Sequence, residues 1–239
     1  MQWVVLRTVA SLWFVVACGR FDFDALGDGG AGSSGSNGSN GSASNGSSGS
    51  NGSNGGGPPP GCISPGIGDT FEEALPCMSW GSPIISNAMV ATSNGQLTIT
   101  TSAVAMAAGG CTLANVPFGA AGVFAQIDSL PLNSVLELEI TDSSGTSWSL
   151  GSVGGTDVGF SEANRSLGFG LWNPSTSSWW RLRPSGGVVA FEVSGDGTTW
   201  TTEELGTLPA PTTVSATIQL SNNLAAADTG VVDGIDVCP

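Results

Sequence analysis

Two small groups of residues in this chain have types and spacings that could do chemistry. Glu137, Glu139 and Asp142 are the only acids clustered on a strongly alternating run. Paired carboxylates break glycosidic bonds, and a retaining enzyme needs them about 5–5.5 Å apart. The plain alternative is a solvated strand face. Trp172, Trp179, Arg181 and Glu192 form the second group. Flat aromatics stack on sugar rings, while a guanidinium and a carboxylate fix hydroxyls, so these four are candidate glycan-binding residues. The plain alternative is that both indoles cover a sheet face beneath a loop. Other chemistries are closed off by composition: the chain has no His, no Tyr and no Lys, and its five basic residues are all Arg. That removes a Ser-His-Asp or Cys-His triad, a His-ligated zinc site and a Lys Schiff base. A formal net charge of −14 repels nucleic acid and anionic lipid. Carboxylate chemistry and hard-cation binding by oxygen remain.

Met1 to Ala17 has a weakly positive start at Arg7 and an apolar core from Val9 to Ala17. The core is shorter than the ~20 residues of a membrane-spanning helix and ends on a small residue, the pattern of a signal peptide over residues 1–17. The run Val15-Val16-Ala17-Cys18 resembles the lipobox of bacterial lipoproteins. The resemblance implies cleavage before Cys18 and diacylglycerol on its sulfur, so the only membrane contact expected is the lipid anchor. Each buried methylene of such chains contributes about 0.8 kcal/mol. Gly19 stands where an Asp would resemble an inner-membrane retention signal. The expected location is therefore the cell envelope, lipid-anchored in the outer membrane and facing outward.

Residues 18–60 form the lipidated N-terminus and its linker. From Gly27 to Gly57 the chain is almost wholly Gly, Ser and Asn, with nothing apolar larger than two alanines to offset the entropy of ordering, and Pro58-Pro59-Pro60 ends it. A flexible spacer of about 30 residues has an r.m.s. reach of roughly 30 Å.

Residues 61–239 are long enough for one domain with a full core. Apolar residues recur with period two between turns of Gly, Asn, Asp and Ser. Leu136, Leu138 and Ile140 share a face; so do Leu167, Phe169 and Leu171, and Val189, Phe191 and Val193; Val214, Ala216, Ile218 and Leu220 form the clearest run. The same alternation turns Trp172, Trp179, Arg181, Arg183 and Glu192 outward, with Ser166, Gly168 and Gly170 beside them. About a dozen strands with short turns and no internal repeat predict an all-β, two-sheet antiparallel β-sandwich. Beyond Cys18, the cysteines are Cys62, Cys77, Cys111 and Cys238. An even count in an exported domain predicts two disulfides, with three pairings open.

Several segments resemble the concanavalin A-like lectin/glucanase superfamily, near its laminin-G-like branches. They are Asp69-Thr70-Phe71-Glu72-Glu73, Ser93 to Ile99, Trp179-Trp180-Arg181-Leu182-Arg183, Phe191 to Trp200 and Val232 to Val237. The resemblance covers Asp69 to Val237 and implies a jelly roll whose first and last strands lie side by side. It implies Cys62–Cys238 and hence Cys77–Cys111. It also implies a possible structural calcium held by Asp69, Asp233 and Asp236, since carboxylate oxygens suit Ca²⁺; no other cofactor is expected. The run Glu137 to Asp142 is similar to the acidic strand of laminarinase-like glycosidases, ordered Glu, Asp, Glu. Here Glu and Asp exchange the last two places and the terminal acid falls to Asp142, a departure that weighs against catalysis. Ser194 to Trp200 looks like a shortened Asp box, although Asp-Gly is a hairpin signal in its own right. The expectation is a monomeric surface lipoprotein, not an enzyme, that presents a module binding a glycan or cell-surface polysaccharide. The alternatives are a β-glucanase-like hydrolase using Glu137, Glu139 or Asp142, and an adhesive coat protein with no small ligand.

Overall fold

The computed structural model describes residues 67–73, 75–222 and 224–238. The signal segment, Cys18, the Gly/Ser/Asn linker and Cys62 lie outside the described residues. Fifteen strands follow one another: β1 (Ile67–Asp69), β2 (Ser82–Ser86), β3 (Ala88–Ser93), β4 (Gln96–Thr101), β5 (Ala107–Pro117), β6 (Gly122–Ser129), β7 (Val135–Thr141) and β8 (Ser147–Val153), then β9 (Asp157–Glu162), β10 (Arg165–Leu171), β11 (Trp179–Ser185), β12 (Val188–Ser194), β13 (Thr201–Pro209), β14 (Thr213–Asn222) and β15 (Asp228–Cys238). They build two antiparallel sheets. One has the order β10-β9-β8-β7-β14-β5-β2, and the other β13-β12-β11-β6-β15-β4-β3 with β1 added against β15. The all-β, two-sheet antiparallel sandwich expected from the alternation is the fold observed. The first and last strands do pair, with Ile67 opposite Val237 and Asp69 opposite Ile235.

The core lies between the sheets. From the seven-stranded sheet come Leu136, Leu138, Ile140, Trp148, Leu150, Phe160, Ile218 and Leu220; from the other come Leu97, Ile99, Val123, Ile127, Trp180, Leu182 and Phe191, all buried. Phe160 meets Phe191 across the interface edge-on, with centroids 6.1 Å apart. At one side the sheets come closer still: a Cβ on Gly109 would stand 2.8 Å from the Ala88 Cβ and 3.0 Å from Ile99, so β5 can lie against β3 and β4 only with glycine there. The Cys77–Cys111 disulfide, both residues fully buried, pins the segment before β2 to β5. Cys238 is also disulfide-bonded.

Alternation fails at β10. The register shifts between Ser166 and Gly168, after which Gly168 faces Phe160 and Gly170 faces Val158. A one-residue slip turns every later side chain to the other face. Phe169 and Leu171, expected inside, are 68% and 84% exposed, and Gly168 and Gly170, expected outside, turn inward.

The sandwich is closed beside β10 by Glu162, which is 1% exposed. Its carboxylate on β9 accepts the Trp148 Nε1–H at 3.0 Å, the Thr207 and Leu208 amides at 2.9 Å, and the Thr207 hydroxyl at 2.5 Å. Thr207 and Leu208 belong to β13 of the other sheet, so one carboxylate joins the two edges. Burial pushes its pKa up, but the Thr207, Leu208 and Trp148 donors outweigh burial and hold it below the ordinary value. A carboxyl with a depressed folded pKa stabilises the fold above its unfolded pKa, and this contribution is lost as pH falls through the folded value. Glu162→Ala strands these donors and is expected to cost about 3 kcal/mol in urea denaturation at pH 7, with the difference from wild type shrinking in acid.

Candidate functional site

β7 lies at the centre of the seven-stranded sheet, between β8 and β14. Its buried Leu136, Leu138 and Ile140 fix the register, so Glu137, Glu139 and Thr141 project from the opposite, outer face. Across that face Glu139 is flanked by Ser149 and then Ser161 on one side, and by Thr217 and then Thr112 on the other. The Ser149 and Ser161 hydroxyls are 2.7 Å apart, those of Thr112 and Thr217 3.0 Å. The row through Glu137 holds Gly151 and Gly159 on one side, Gln219 and Gly110 on the other. Glycines keep this row low, so the two carboxylates stand above a shallow, hydroxyl-lined strip.

Both acids resist ionisation. Burial raises the Glu137 pKa against hydrogen bonds from Ser149 and Gln219. Glu139 is pushed up to about 7, by burial first and then by the charge of Glu137, with the Thr141 hydroxyl at 3.0 Å opposing. No cation relieves them. Of the three described arginines, Arg165 bonds Thr207 and lies 3.6 Å from Glu162, and the other two serve Glu192.

Asp142 does not belong to this group. The residue two places on from Glu139 is Thr141, and Asp142 lies in the following turn. Its Oδ1 accepts the Ser144 and Thr146 amides and the Ser144 hydroxyl at 2.7–2.9 Å. Hydrogen bonding from Ser144 holds its pKa down. An acid at an odd offset from Glu137 cannot share its face, which corrects the reading that put a terminal acid on this strand.

The Trp172/Trp179 constellation comes apart. Trp172 follows β10 at the rim of the seven-stranded sheet and packs against the core, whereas Trp179 is on β11 of the other sheet. Trp179 lies over the 195–198 hairpin, where a Cβ on Gly197 would be 3.0 Å from its ring. The expected neighbourhood of β11 and β12 does exist, with Arg181 opposite Glu192. There the charges satisfy one another. Glu192, 2% exposed, accepts Arg181 Nε at 2.6 Å, Arg183 Nε and Nη2 at 2.8 Å and the Thr202 hydroxyl at 3.0 Å. Burial raises its pKa, and the Arg183 hydrogen bonds and Arg181 charge more than reverse this. The Arg181 guanidinium lies 3.9 Å over Trp200, which stacks on Phe124. This is an ion cluster beneath an aromatic lid, in which the two guanidinium groups are turned to Glu192.

The Asp box resemblance resolves into a turn. Asp196 accepts the Thr198 and Thr199 amides at 2.7–2.8 Å and the Ser194 hydroxyl at 2.9 Å, and these bonds depress its pKa. Of the three candidate calcium ligands, Asp233 accepts Gln96 Nε2 at 2.7 Å. Asp236 lies beneath Gly68, where burial lifts its pKa to about 6. The side chain of Asp69 lies outside the described residues. Among the described residues, no group of three acids, cysteines or histidines converges to hold a metal ion.

No protein-family model matches the chain, and no curated protein does. Solved structures with a similar fold include an apo Crh5 transglycosylase, at 11% identity and a TM-score of 0.53, and a Crh5 transglycosylase in complex with NAG, at 12% and 0.53. Each alignment covers 74% of this chain and 85% of the other. The likeness is one of fold: this domain is a jelly roll of two antiparallel sheets.

A carboxyl whose folded pKa is raised destabilises the fold as it ionises, so the cost of Glu139 is absent below pH 4.5 and complete above about 7. Glu139→Gln is therefore expected to stabilise the domain at pH 8 by on the order of 1 kcal/mol and to leave it unchanged at pH 4, read from paired thermal melts.

Proposed function

We propose that the chain is a lipid-anchored envelope protein whose seven-stranded sheet binds an uncharged polysaccharide without cleaving it. The observation that carries this reading is the Glu137/Glu139 pair, desolvated and uncompensated at the centre of an outer face of Ser, Thr, Gln and Gly. Carboxylates accept sugar hydroxyls in pairs, and the flanking hydroxyls both donate and accept. An anionic glycan would be repelled by a face with two acids and no cation. Asp142, to which the resemblance gives the acid that protonates a leaving group, lies in the turn after β7 and is engaged by Ser144 and Thr146, which favours binding over hydrolysis. That a Crh5 transglycosylase of similar fold has been seen with NAG is in keeping with a saccharide ligand. Acylation of Cys18 supplies the anchor in this reading, and the Gly/Ser/Asn segment the distance from the membrane.

One observation favours a second reading. A carboxyl with a pKa of about 7 is partly protonated at neutral pH, as a general acid must be. The chain would then be a glycoside hydrolase or transglycosylase with Glu137 as the partner carboxylate.

Pull-down of the full chain on insoluble β-glucan, chitin and peptidoglycan tests both readings. Retention on at least one matrix is expected, weakened tenfold or more by Glu137→Gln and by Glu139→Gln and unchanged by Trp179→Ala. Retention lost only in Trp179→Ala would move the site to the other sheet, and retention on none would end the glycan reading. New reducing ends that disappear in Glu137→Gln would establish the enzyme.

A further inference from the structure

Four of the loops at one end of the sandwich lie together. They are residues 102–106 between β4 and β5, 130–134 between β6 and β7, 154–156 between β8 and β9, and 224–227 between β14 and β15. The register fixes their common position: Val135 is paired with Ser221, Ala107 with Asn222, and Asp228 with Thr101. Between them these loops carry no Asp, Glu, Lys or Arg, in a chain with 19 acids. They carry exposed apolar side chains instead: Val104 50%, Met106 62%, Leu132 71% and Leu224 59%. Ala103, Ala105, Ala225 and Ala227 are exposed beside them.

These loops are held in place. The Asn222 amide donates to the carbonyls of Ser102 and Ala226, and its Oδ1 accepts the Leu224 amide. Met106 donates to the Asn222 carbonyl at 2.7 Å. The Asp228 carboxylate accepts the amides of Asn133 and Ser134 and so ties a third loop to the same point. The fourth adjoins it, since a Cβ on Gly155 would be 3.0 Å from Leu132. Exposed side chains on braced loops form a built surface.

We infer that this end of the domain is a self-association surface and that its occupant is a second copy of this chain. Charge is the first argument. Two copies at −14 each can meet only where no carboxylate faces a carboxylate, and these loops supply such a place. The acids at the margin are Asp128, Asp157, Asp196 and Asp228; Asp228 is engaged by the two amides, and Asp196 by those of Thr198 and Thr199. Area is the second argument. At ordinary side-chain sizes the exposed fractions leave on the order of 500 Å² of apolar surface, toward the top of what a monomer's largest patch carries and a large part of the ~800 Å² per partner of a standard interface. A lipid surface fits less well, because the four loops contain no Lys, Arg, Trp or Tyr to sit at headgroup level. Location agrees. Ile67 enters the fold beside Val237, at the opposite end of β15 from Asp228. The inference replaces the monomer expected from sequence and is independent of the glycan face.

Sedimentation of the full chain in density-matched detergent, from about 1 to 100 μM, tests it. A reversible dimer is expected, and Leu132→Ser with Leu224→Ser should raise its dissociation constant at least tenfold while leaving the melting temperature unchanged. In hydrogen exchange, amides of 102–106, 130–134 and 224–227 should gain protection as concentration rises. A wild-type chain that stays monomeric at the top of this range overturns the inference. So does a dimer that the double substitution leaves intact.

Discussion

Strand β7 can be read in only one register, and both the core and the candidate site depend on it. Its even-numbered positions are Leu136, Leu138 and Ile140, and its odd-numbered positions are Glu137, Glu139 and Thr141. A slip of one residue would put two carboxylates into the interface with the other sheet and three large aliphatics into water. Pairing with β8 on one side and β14 on the other locks the choice, because Leu150, Trp148, Ile218 and Leu220 must turn inward at the same time. The apolar side of the strand therefore places the acids on the outer face, and the acids bear the electrostatic consequence of the crowded, low-lying surface around them.

Two acids in the described part of the chain escape that consequence, by different routes. Glu192 is neutralised by two guanidinium groups on the neighbouring strand, and Glu162 is held by neutral donors from its own and the facing sheet, with the exposed Arg165 3.6 Å away. Each links elements that would otherwise meet only through apolar contact. Glu137 and Glu139 have neither a cation nor a full set of donors. In a chain with so few basic residues, leaving an acid pair unrelieved at a sheet centre is a structural cost with no return in stability.

The fold was legible because burial imposes period two on every central strand, and the runs of Leu136, Val189 and Val214 announced themselves. The same rule misled at β10, where a bulge after Ser166 reverses the faces and the local sequence, glycine alternating with large apolar residues, reads equally well either way. Asp142 was misassigned by counting acids along the chain without counting positions across the strand. Trp172 and Trp179 looked like neighbours because the segments are close in sequence, but the chain changes sheets between them. The hydroxyls of Ser149, Ser161, Thr112 and Thr217 were visible only as the polar half of ordinary strands. Their gathering around Glu139 depends on the spatial strand order β9-β8-β7-β14-β5, which brings residues more than a hundred positions apart onto one face.

The pairing of β1 with β15 has a mechanical consequence. Where the described chain begins, β1 is held to β15 by three residue pairs, Ile67–Val237, Gly68–Asp236 and Asp69–Ile235, beside a Cys238 that is itself disulfide-bonded. A pull on the chain from that side loads these antiparallel pairs along the strand direction, so their backbone hydrogen bonds are sheared together instead of opening one at a time. Survival under such a pull is set by the rate of strand detachment rather than by the equilibrium stability of the core. A domain held against flow at this corner would thus owe its endurance to its smallest strand and to the disulfide at Cys238 beside it.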